Sequence, residues 1–259
     1  MRGAKNIPAF IAPFWQRVAY GRILSSYRAN AAVRSPPLAI SPARTVADEE
    51  GLDALSLRAV ASKVGAPVMS LYRHVRSKED LLRSMTDAAL SREVLPEPPP
   101  RGWRAQLETS ARAEWRVFRR HPWLARVVNV TRPEPLPSAI AFADWVFRAL
   151  DETGLDARAK MRAHVLMHSY VQGLAVNVEA EAEAAGATGT SEDEWMRERA
   201  EAFATMAASG RYPYVGRVVG ALGDFVLDFD DLFESGLRAM LDGFEKAMAS
   251  SAKEDSARR

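Results

Sequence analysis

The sequence predicts an all-α protein built from a small N-terminal helical head and a larger C-terminal helical domain. Apolar residues recur every three or four positions over most of the chain, and no segment alternates apolar and polar residues as a half-buried strand does. Four prolines within residues 96–100 separate the two parts, because proline cannot continue a helix. We therefore expect a head over 41–94, a second domain over 102–250 and a tail over 251–259.

The composition excludes several kinds of protein. Of the 259 residues, 47% are apolar, which is enough for a substantial core, yet no run reaches the ~18 apolar residues of a membrane-spanning helix. The absence of cysteine excludes disulfides, thiolate zinc sites and cysteine nucleophiles. It also fits a reducing cytoplasm, where we expect the protein to act.

Charge is spread unevenly along the chain. Residues 1–92 carry 14 Lys and Arg against 7 Asp and Glu, whereas residues 93–259 carry 21 against 26. A basic head on an acidic body indicates that the head binds a polyanion and the body does not. Charge alone also fits a chance asymmetry, so the motifs must decide between the two interpretations.

Residues 1–40 form a basic extension without a single acidic side chain. Aromatic residues are interleaved with its basic residues, but it lacks the unbroken apolar stretch of a secretory signal. Three interpretations stay open: a flexible basic arm that touches DNA, an additional helix, or sequence translated upstream of the true start. We favour the flexible arm.

Capping residues mark the expected helices of the head. Serine accepts hydrogen bonds from the first N–H groups of a helix, and glycine adopts the left-handed conformation that ends one. On this basis the head helices run over 42–50 after Ser41, 57–64 after Ser56, 67–74 after a break at Gly65, and onward from Ser77. Helices of the second domain are expected from Trp103, from Pro122, and over 137–152, 156–183, 191–209 and 229–249, with a loop over 184–190.

Residues 56–74 have the form of a helix-turn-helix, with an eight-residue helix, a turn that contains Gly65, and a short second helix. A short helix with small side chains fits the major groove of DNA with its N-terminus forward, where its N–H groups face phosphates. Many helical hairpins have glycine at the corner, so this pattern by itself is only moderately specific.

A longer pattern surrounds this motif. It consists of Glu49-Glu50-Gly51-Leu52-Asp53-Ala54-Leu55-Ser56-Leu57-Arg58, Ala61, Gly65, Ser70-Leu71-Tyr72-Arg73-His74-Val75 and Ser77-Lys78-Glu79-Asp80-Leu81-Leu82. In order and spacing these residues resemble the TetR family. Residues 101–104, 121–124, 131–133 and 237–243 are similar to the C-terminal domain of the tetracycline-repressor branch, so the resemblance covers 41–248. It implies a helix-turn-helix head of three helices, followed by a helical domain for ligand binding and dimerisation.

The resemblance implies a set of DNA contacts in the head. Arg58 matches a position that reaches DNA and has the geometry to pair with guanine, while Val68 and Met69 are suited to a thymine methyl. Tyr72, His74 and Lys78 match phosphate contacts. The complete set comprises Ser56, Arg58, Val68, Met69, Ser70, Tyr72, His74 and Lys78.

One feature departs from the family pattern. The first helix, over 42–50, is about one and a half turns shorter than is usual in the family. The stability of the head then depends on replacement packing from residues 15–35. An alternative function follows from this departure: a helical ligand-binding dimer with an impaired DNA-binding head.

Aromatic and polar residues of the second domain are candidates for a ligand pocket, although aromatics at helical spacing are more often plain core. The candidates are Trp115, Phe118, Trp123, Phe142, Trp145, Met161, His164, His168, Tyr170 and Asn177. His164 and His168 are one turn apart, but no third metal ligand is evident, so we expect no metal. In the alignment with tetracycline repressors, Val128 replaces their magnesium-binding histidine. We therefore expect an apolar or aromatic ligand, oriented by a polar pair such as His164 and Asn177, and no cofactor.

Packing and motifs together predict the assembly and the activity. The helices over 156–183 and 229–249 have more apolar surface than one subunit can cover, which indicates a homodimer held by a four-helix bundle. No Walker loop, dinucleotide-binding glycine motif, nucleophile elbow or His-Glu-x-x-His motif occurs, so we do not expect an enzyme. The expected function is repression at a double-stranded operator, relieved by a small-molecule effector.

Overall fold

The computed structural model describes residues 39–72, 75–223 and 227–257, with side chains up to residue 249. Within these ranges the regular structure is entirely helical, which confirms the predicted fold class. The helices are α1 (Ile40–Glu50), α2 (Leu57–Val64), α3 (Val68–Tyr72), α4 (Lys78–Leu90), α5 (Trp103–Arg120), α6 (Leu124–Val127), α7 (Pro137–Asp151), α8 (Ala157–Thr188), α9 (Glu192–Ala208), α10 (Pro213–Leu222) and α11 (Phe229–Ala257).

The head consists of α1 to α4 around a small apolar core. The Ser56 hydroxyl accepts a hydrogen bond from the Ala59 N–H and caps α2, and Gly65 ends α2 with a φ of 67°. Helix α1 packs on α2 and α4, where Val60 and Leu81 are completely buried. Capping hydrogen bonds therefore fix both ends of α2, and burial of apolar side chains holds the helices of the head together.

The first helix begins two residues earlier than the sequence predicted. It starts at Ile40, so Ser41 lies inside the helix and does not cap it. Both Ile40 and Ala43 are buried, which explains why the helix includes the residues before Pro42. Residues 1–38 of the predicted basic extension, with the replacement packing expected from residues 15–35, lie outside the described residues.

The proline-rich linker is fastened to the second domain at two points. Glu93 is nearly buried and accepts hydrogen bonds from Arg116 and Arg120, each at 3.0 Å. Glu97 pairs with Arg148 at 3.3 Å. The linker therefore lies along the second domain.

The second domain is built around α5, α7 and α8, with α11 packed across α8 and α5. Its core includes Leu107, Phe118, Leu150, Met167, Phe233 and Leu237. Helices α8 and α11 approach closely at Gly236, because a Cβ there would overlap the Tyr170 hydroxyl. That hydroxyl donates to the carbonyl oxygens of Leu232 and Phe233, at 2.8 and 2.9 Å.

Three elements of the second domain differ from the sequence prediction. The prediction of a loop over 184–190 is wrong for residues 184–188, because this alanine-rich segment continues α8. Gly189 ends the helix with a left-handed conformation. Helix α10 was not predicted, and it begins with Pro213 in its first turn. Helix α11 continues to Ala257, well into the predicted tail.

Several apolar surfaces stay uncovered in the single chain. Helices α9 and α10 pack against each other but contain no buried residue. On α8, Leu166 is 54% and Val176 is 42% exposed. Among the described helices, none combines the length and the apolar character that crossing a bilayer requires.

Candidate nucleic-acid interface and ligand site

The second helix of the motif projects its side chains outward. Leu71 and the following Val75 are buried against the head, whereas Met69 is 75% and Tyr72 is 50% exposed. The Ser70 hydroxyl donates to the Pro67 carbonyl oxygen at 2.6 Å, which fixes the start of α3. This arrangement leaves the solvent side of α3 open to a partner.

The other predicted DNA contacts flank α3. Arg58 is exposed on α2, Val68 is half-buried, and Ser56 is exposed while its oxygen caps α2. Lys78 is exposed at the start of α4, with its ammonium 3.4 Å from the Leu52 carbonyl oxygen. His74 lies outside the described residues.

Two further cations lie on the head and were not predicted as contacts. Arg76 is exposed in the turn before Lys78, and it forms no ion pair with a described residue. Lys63 on α2 is bound to Glu49 at 2.5 Å, and this hydrogen bond raises the pKa of its ammonium. The sequence could have indicated Arg76, because it is a basic residue close to Lys78. Lys63 is less suited to contact DNA, because its ammonium is already paired with Glu49.

A polar contact between a partly exposed carboxylate and two buried donors joins the head to the second domain. Asp48 on α1 accepts hydrogen bonds from His121 Nδ1 at 2.9 Å and from the Trp123 indole N–H at 2.7 Å. Both partners are almost completely buried in the segment that leads into α6. The predicted pocket residue Trp123 thus lies at this junction between the two domains.

Helix α6 is also held from the side of α8. The Gln172 side-chain N–H group donates to the carbonyl oxygens of Ala125 and Val128, at 2.9 and 2.6 Å. Arg126 extends this contact, because it lies 2.5 Å from Glu183 and 3.8 Å from both Glu179 and Asp53. Burial raises the pKa of Glu179 to about 7, although Arg126 opposes the shift.

Helices α5, α7 and α8 enclose a second polar group. His168 Nδ1 contacts the Glu114 carboxylate, and the two side chains are 18% and 14% exposed. The His164 ring meets the edge of Phe147 at 5.2 Å between centroids, and its Nδ1 is buried without a hydrogen-bond partner. These three polar side chains therefore lie together inside an apolar domain.

The two histidines of this group titrate differently. Burial lowers the pKa of His164, with the Glu114 charge opposing and the His168 charge adding to the shift. Burial also acts to lower the pKa of His168, but the charge and hydrogen bond of Glu114 outweigh it and raise that pKa. Glu114 was not among the predicted ligand residues, although it is a charged residue on the apolar face of α5.

The remaining predicted ligand residues are spread over the domain. Trp115 stacks on Phe233 at 5.1 Å and donates to Asp230 at 2.6 Å, and Phe118 lies 6.5 Å from the His168 ring. Phe142 and Met161 are half-buried, and Trp145 is buried with its indole N–H unpartnered. Tyr170 contacts the backbone of α11, and Asn177 is exposed and donates to Gly173 of its own helix.

The charged residues do not form a metal centre within the described ranges. No group of three or more His, Asp and Glu side chains there has the arrangement to hold a metal ion. The pair His164 and His168 therefore has a carboxylate beside it without the geometry of a metal site.

Two family models match the chain. Residues 39–85 match the model of bacterial regulatory proteins of the tetR family, and residues 95–248 match the model of the tetracyclin repressor-like C-terminal domain. Together they cover most of the head and most of the second domain.

Individual proteins are also similar. An HTH-type transcriptional repressor, DrrR1 of Streptomyces coeruleorubidus, is 37% identical over 217 residues, which are 81% of this chain and 77% of that protein. The crystal structure of apo ActR from Streptomyces coelicolor is 25% identical, with a TM-score of 0.66, over 85% of this chain and 100% of ActR. ActR in complex with actinorhodin gives the same identity and TM-score over 83% and 98%.

Proposed function

Because the chain belongs to the TetR family of helix-turn-helix transcription regulators, whose members bind operator DNA and are not enzymes, we propose that it is a homodimeric repressor released by a small apolar or aromatic molecule. The observation that carries this proposal is the outward projection of Met69 and Tyr72 from α3. The same head is bonded through Asp48 to the domain that contains the polar cluster.

The DNA-binding part of the proposal uses the exposed face of the head. Arg58 pairs with a guanine, and Val68 and Met69 contact thymine methyl groups. The remaining contacts, to the DNA backbone and to base edges, come from Ser56, Ser70, Tyr72, His74 and Lys78. A regulator of this kind acts where the chromosome is, so we place it in the cytoplasm.

The homodimer is supported by the apolar faces left uncovered in one chain. Leu166 and Val176 on α8, and Leu232 on α11, are more than 40% exposed. Pairing α8 and α11 with the same helices of a second copy across a two-fold axis covers them in a four-helix bundle. Two heads then face two half-sites on one side of the DNA.

Release follows a route that the contacts suggest. An effector bound among α5, α7 and α8 shifts α8, which holds α6 through Gln172, and α6 follows the segment that binds Asp48 of the head. The effector changes DNA binding only to the extent that it prefers one spacing of the heads over the other. The actinorhodin complex of ActR supports a small molecule as the effector.

The experiment is a fluorescence-anisotropy titration of the full chain with DNA from upstream of its own gene, at two salt concentrations. We expect sequence preference to survive at raised salt while affinity falls. Arg58→Ala is expected to weaken specific binding by ~10-fold or more, since a bidentate base contact contributes about 1–3 kcal/mol. Arg158→Ala, an exposed arginine at the start of α8, is the matched control.

Two results would contradict the proposal. Equal affinity for specific and unrelated DNA would favour the ligand-binding dimer with an impaired head. An equal loss of DNA affinity in the Arg58→Ala and Arg158→Ala variants would mean that the head does not form the DNA interface.

A further inference from the structure

Glu114, His164 and His168 are largely buried polar groups of the second domain that have no part in the release route. They lie where α5, α7 and α8 pack together, and aromatic rings line them, with Phe147 against His164 and Phe118 near His168. Inside such packing each polar atom needs a partner, since an unpaired buried group loses its hydrogen bond to water without replacement.

His164 is the member of this cluster that lacks its partner. Glu114 and His168 bind each other, whereas His164 Nδ1 is inaccessible to solvent and forms no hydrogen bond with any described residue. A buried polar atom without a partner in a native protein calls for an explanation, and a bound molecule that supplies the missing group is one. The His164 ring makes a T-shaped contact with Phe147, which restricts the orientation of the imidazole.

The charges around His164 limit what that molecule can be. Burial keeps the imidazole of His164 neutral, and the charged groups that act on it are Glu114 and His168. Since those two neutralise each other, no free positive charge is left to balance an anion. The Glu114 carboxylate also repels a second carboxylate in this low-dielectric setting.

We propose that His164 recognises the effector through a hydrogen bond between its Nδ1 and an oxygen of an uncharged aromatic ring system, either a phenolic hydroxyl or a ring carbonyl, and that Glu114 excludes aromatic carboxylates. This inference rests on the proposed function, because it assigns the chemistry of the same ligand site. Neutral imidazole can donate to a carbonyl or accept from a phenol, so both oxygens satisfy it.

The test uses three probes of one shape: naphthalene, 1-naphthol and 1-naphthoate. Their binding to the full chain is measured by equilibrium dialysis at pH 7.5. We expect 1-naphthol to bind about tenfold more tightly than naphthalene, which is the usual size of one neutral hydrogen bond, and 1-naphthoate to bind more weakly than both.

Two variants separate the roles of the residues. His164→Phe keeps an aromatic ring and is expected to remove the tenfold advantage of 1-naphthol over naphthalene. Glu114→Gln removes the negative charge and is expected to increase 1-naphthoate binding by about tenfold, because the repulsion between the two carboxylates is gone. Ser169→Ala, at an exposed position of the same helix, is the control and leaves all three affinities unchanged.

Several outcomes would overturn the inference. Equal binding of 1-naphthol and 1-naphthoate, an unchanged preference in His164→Phe, or no binding of any probe each remove the assignment. The DNA titration with the same preparations distinguishes this failure from failure of the proposed function. Operator binding that persists while the probes fail leaves the repressor intact, whereas loss of specific DNA binding contradicts the function itself.

Discussion

Two carboxylate–histidine contacts in this protein have different roles. Asp48 and His121 belong to different domains, and Trp123 donates to the same carboxylate, so three side chains connect the head and the body. Glu114 and His168 lie within one domain, beside a third group, His164, whose nitrogen is left unpaired. The first contact fixes one domain on another, whereas the second leaves a binding atom available to a ligand.

The largest effect should come from breaking the contact between the domains. Asp48→Ala leaves two buried donors, His121 Nδ1 and the Trp123 indole N–H, without an acceptor. We expect the free energy of unfolding to fall by about 2–4 kcal/mol, since each unsatisfied buried group costs about 1–3 kcal/mol. Urea denaturation followed by tryptophan fluorescence measures this change.

Asp53→Ala is the control for that variant. Asp53 also faces the body, through Arg126 at 3.8 Å, but its side chain is 89% exposed. Its loss should change the unfolding free energy by less than about 0.5 kcal/mol. Similar losses in both variants would mean that the Asp48 contact has no special role in joining the domains.

A smaller loss is expected from breaking the contact within the body. Glu114→Ala removes the partner of His168, whose side chain keeps some access to water, so we expect a loss of about 1–3 kcal/mol. Because Glu114 contacts only the body whereas Asp48 joins the head to it, Glu114→Ala should leave the affinity for operator DNA without effector unchanged, and Asp48→Ala should lower that affinity. Urea denaturation and DNA anisotropy on one preparation test both statements, and equal changes in DNA affinity in the two variants would contradict the distinction.

Glu179 offers a way to strengthen the junction instead of breaking it. Its pKa is raised to about 7 by burial, so the carboxyl stabilises the fold fully only below its ordinary pKa, and this contribution is lost as the pH rises to about 7. Glutamine cannot ionise, so Glu179→Gln should avoid this loss of stability at high pH. At pH 8 we expect its free energy of unfolding to exceed that of the natural sequence by about 1–2 kcal/mol. Equal urea midpoints of the two proteins at pH 8 would contradict the assignment.

The smallest effect concerns the pH dependence of the body contact. The pKa of His168 is raised, so the Glu114 pair stabilises the fold fully below the ordinary histidine pKa of about 6.5, and this stability is lost as the pH rises through the folded value. The stability difference between the natural sequence and Glu114→Gln should therefore shrink by about 1 kcal/mol between pH 6 and pH 9. Thermal melts across that range would show a constant difference if His168 did not titrate.

The sequence was sufficient where local chemistry decides the structure. Ser56, Gly65 and Ser77 act on backbone groups four residues away or fewer, and the helices that they limit have the predicted bounds at those ends. Helix α10 was not predicted. It contains two glycines, which weaken a helix, and it packs on α9. The alanine-rich end of α8 was misread because small residues occur in both loops and helices.

The junction and the cluster could not be derived from spacing. Asp48 and Trp123 are 75 residues apart, and Glu114 and His168 are 54 apart, so only the tertiary fold brings them together. Trp123 was grouped with the pocket candidates because an aromatic residue in sequence does not reveal which surface it will face. Glu114 carried a weak signal, a charge on an apolar helix face, that becomes meaningful only beside a histidine.

The anchored proline segment has a consequence for how the molecule comes apart. Linkers between domains are common sites of proteolytic cleavage. In this protein the proline-rich linker is held against the second domain by ion pairs of Glu93 with Arg116 and Arg120 and of Glu97 with Arg148. Cleavage there requires prior opening of these ion pairs, so digestion of the native protein should not release an intact head. We therefore expect head and body to unfold as one cooperative unit.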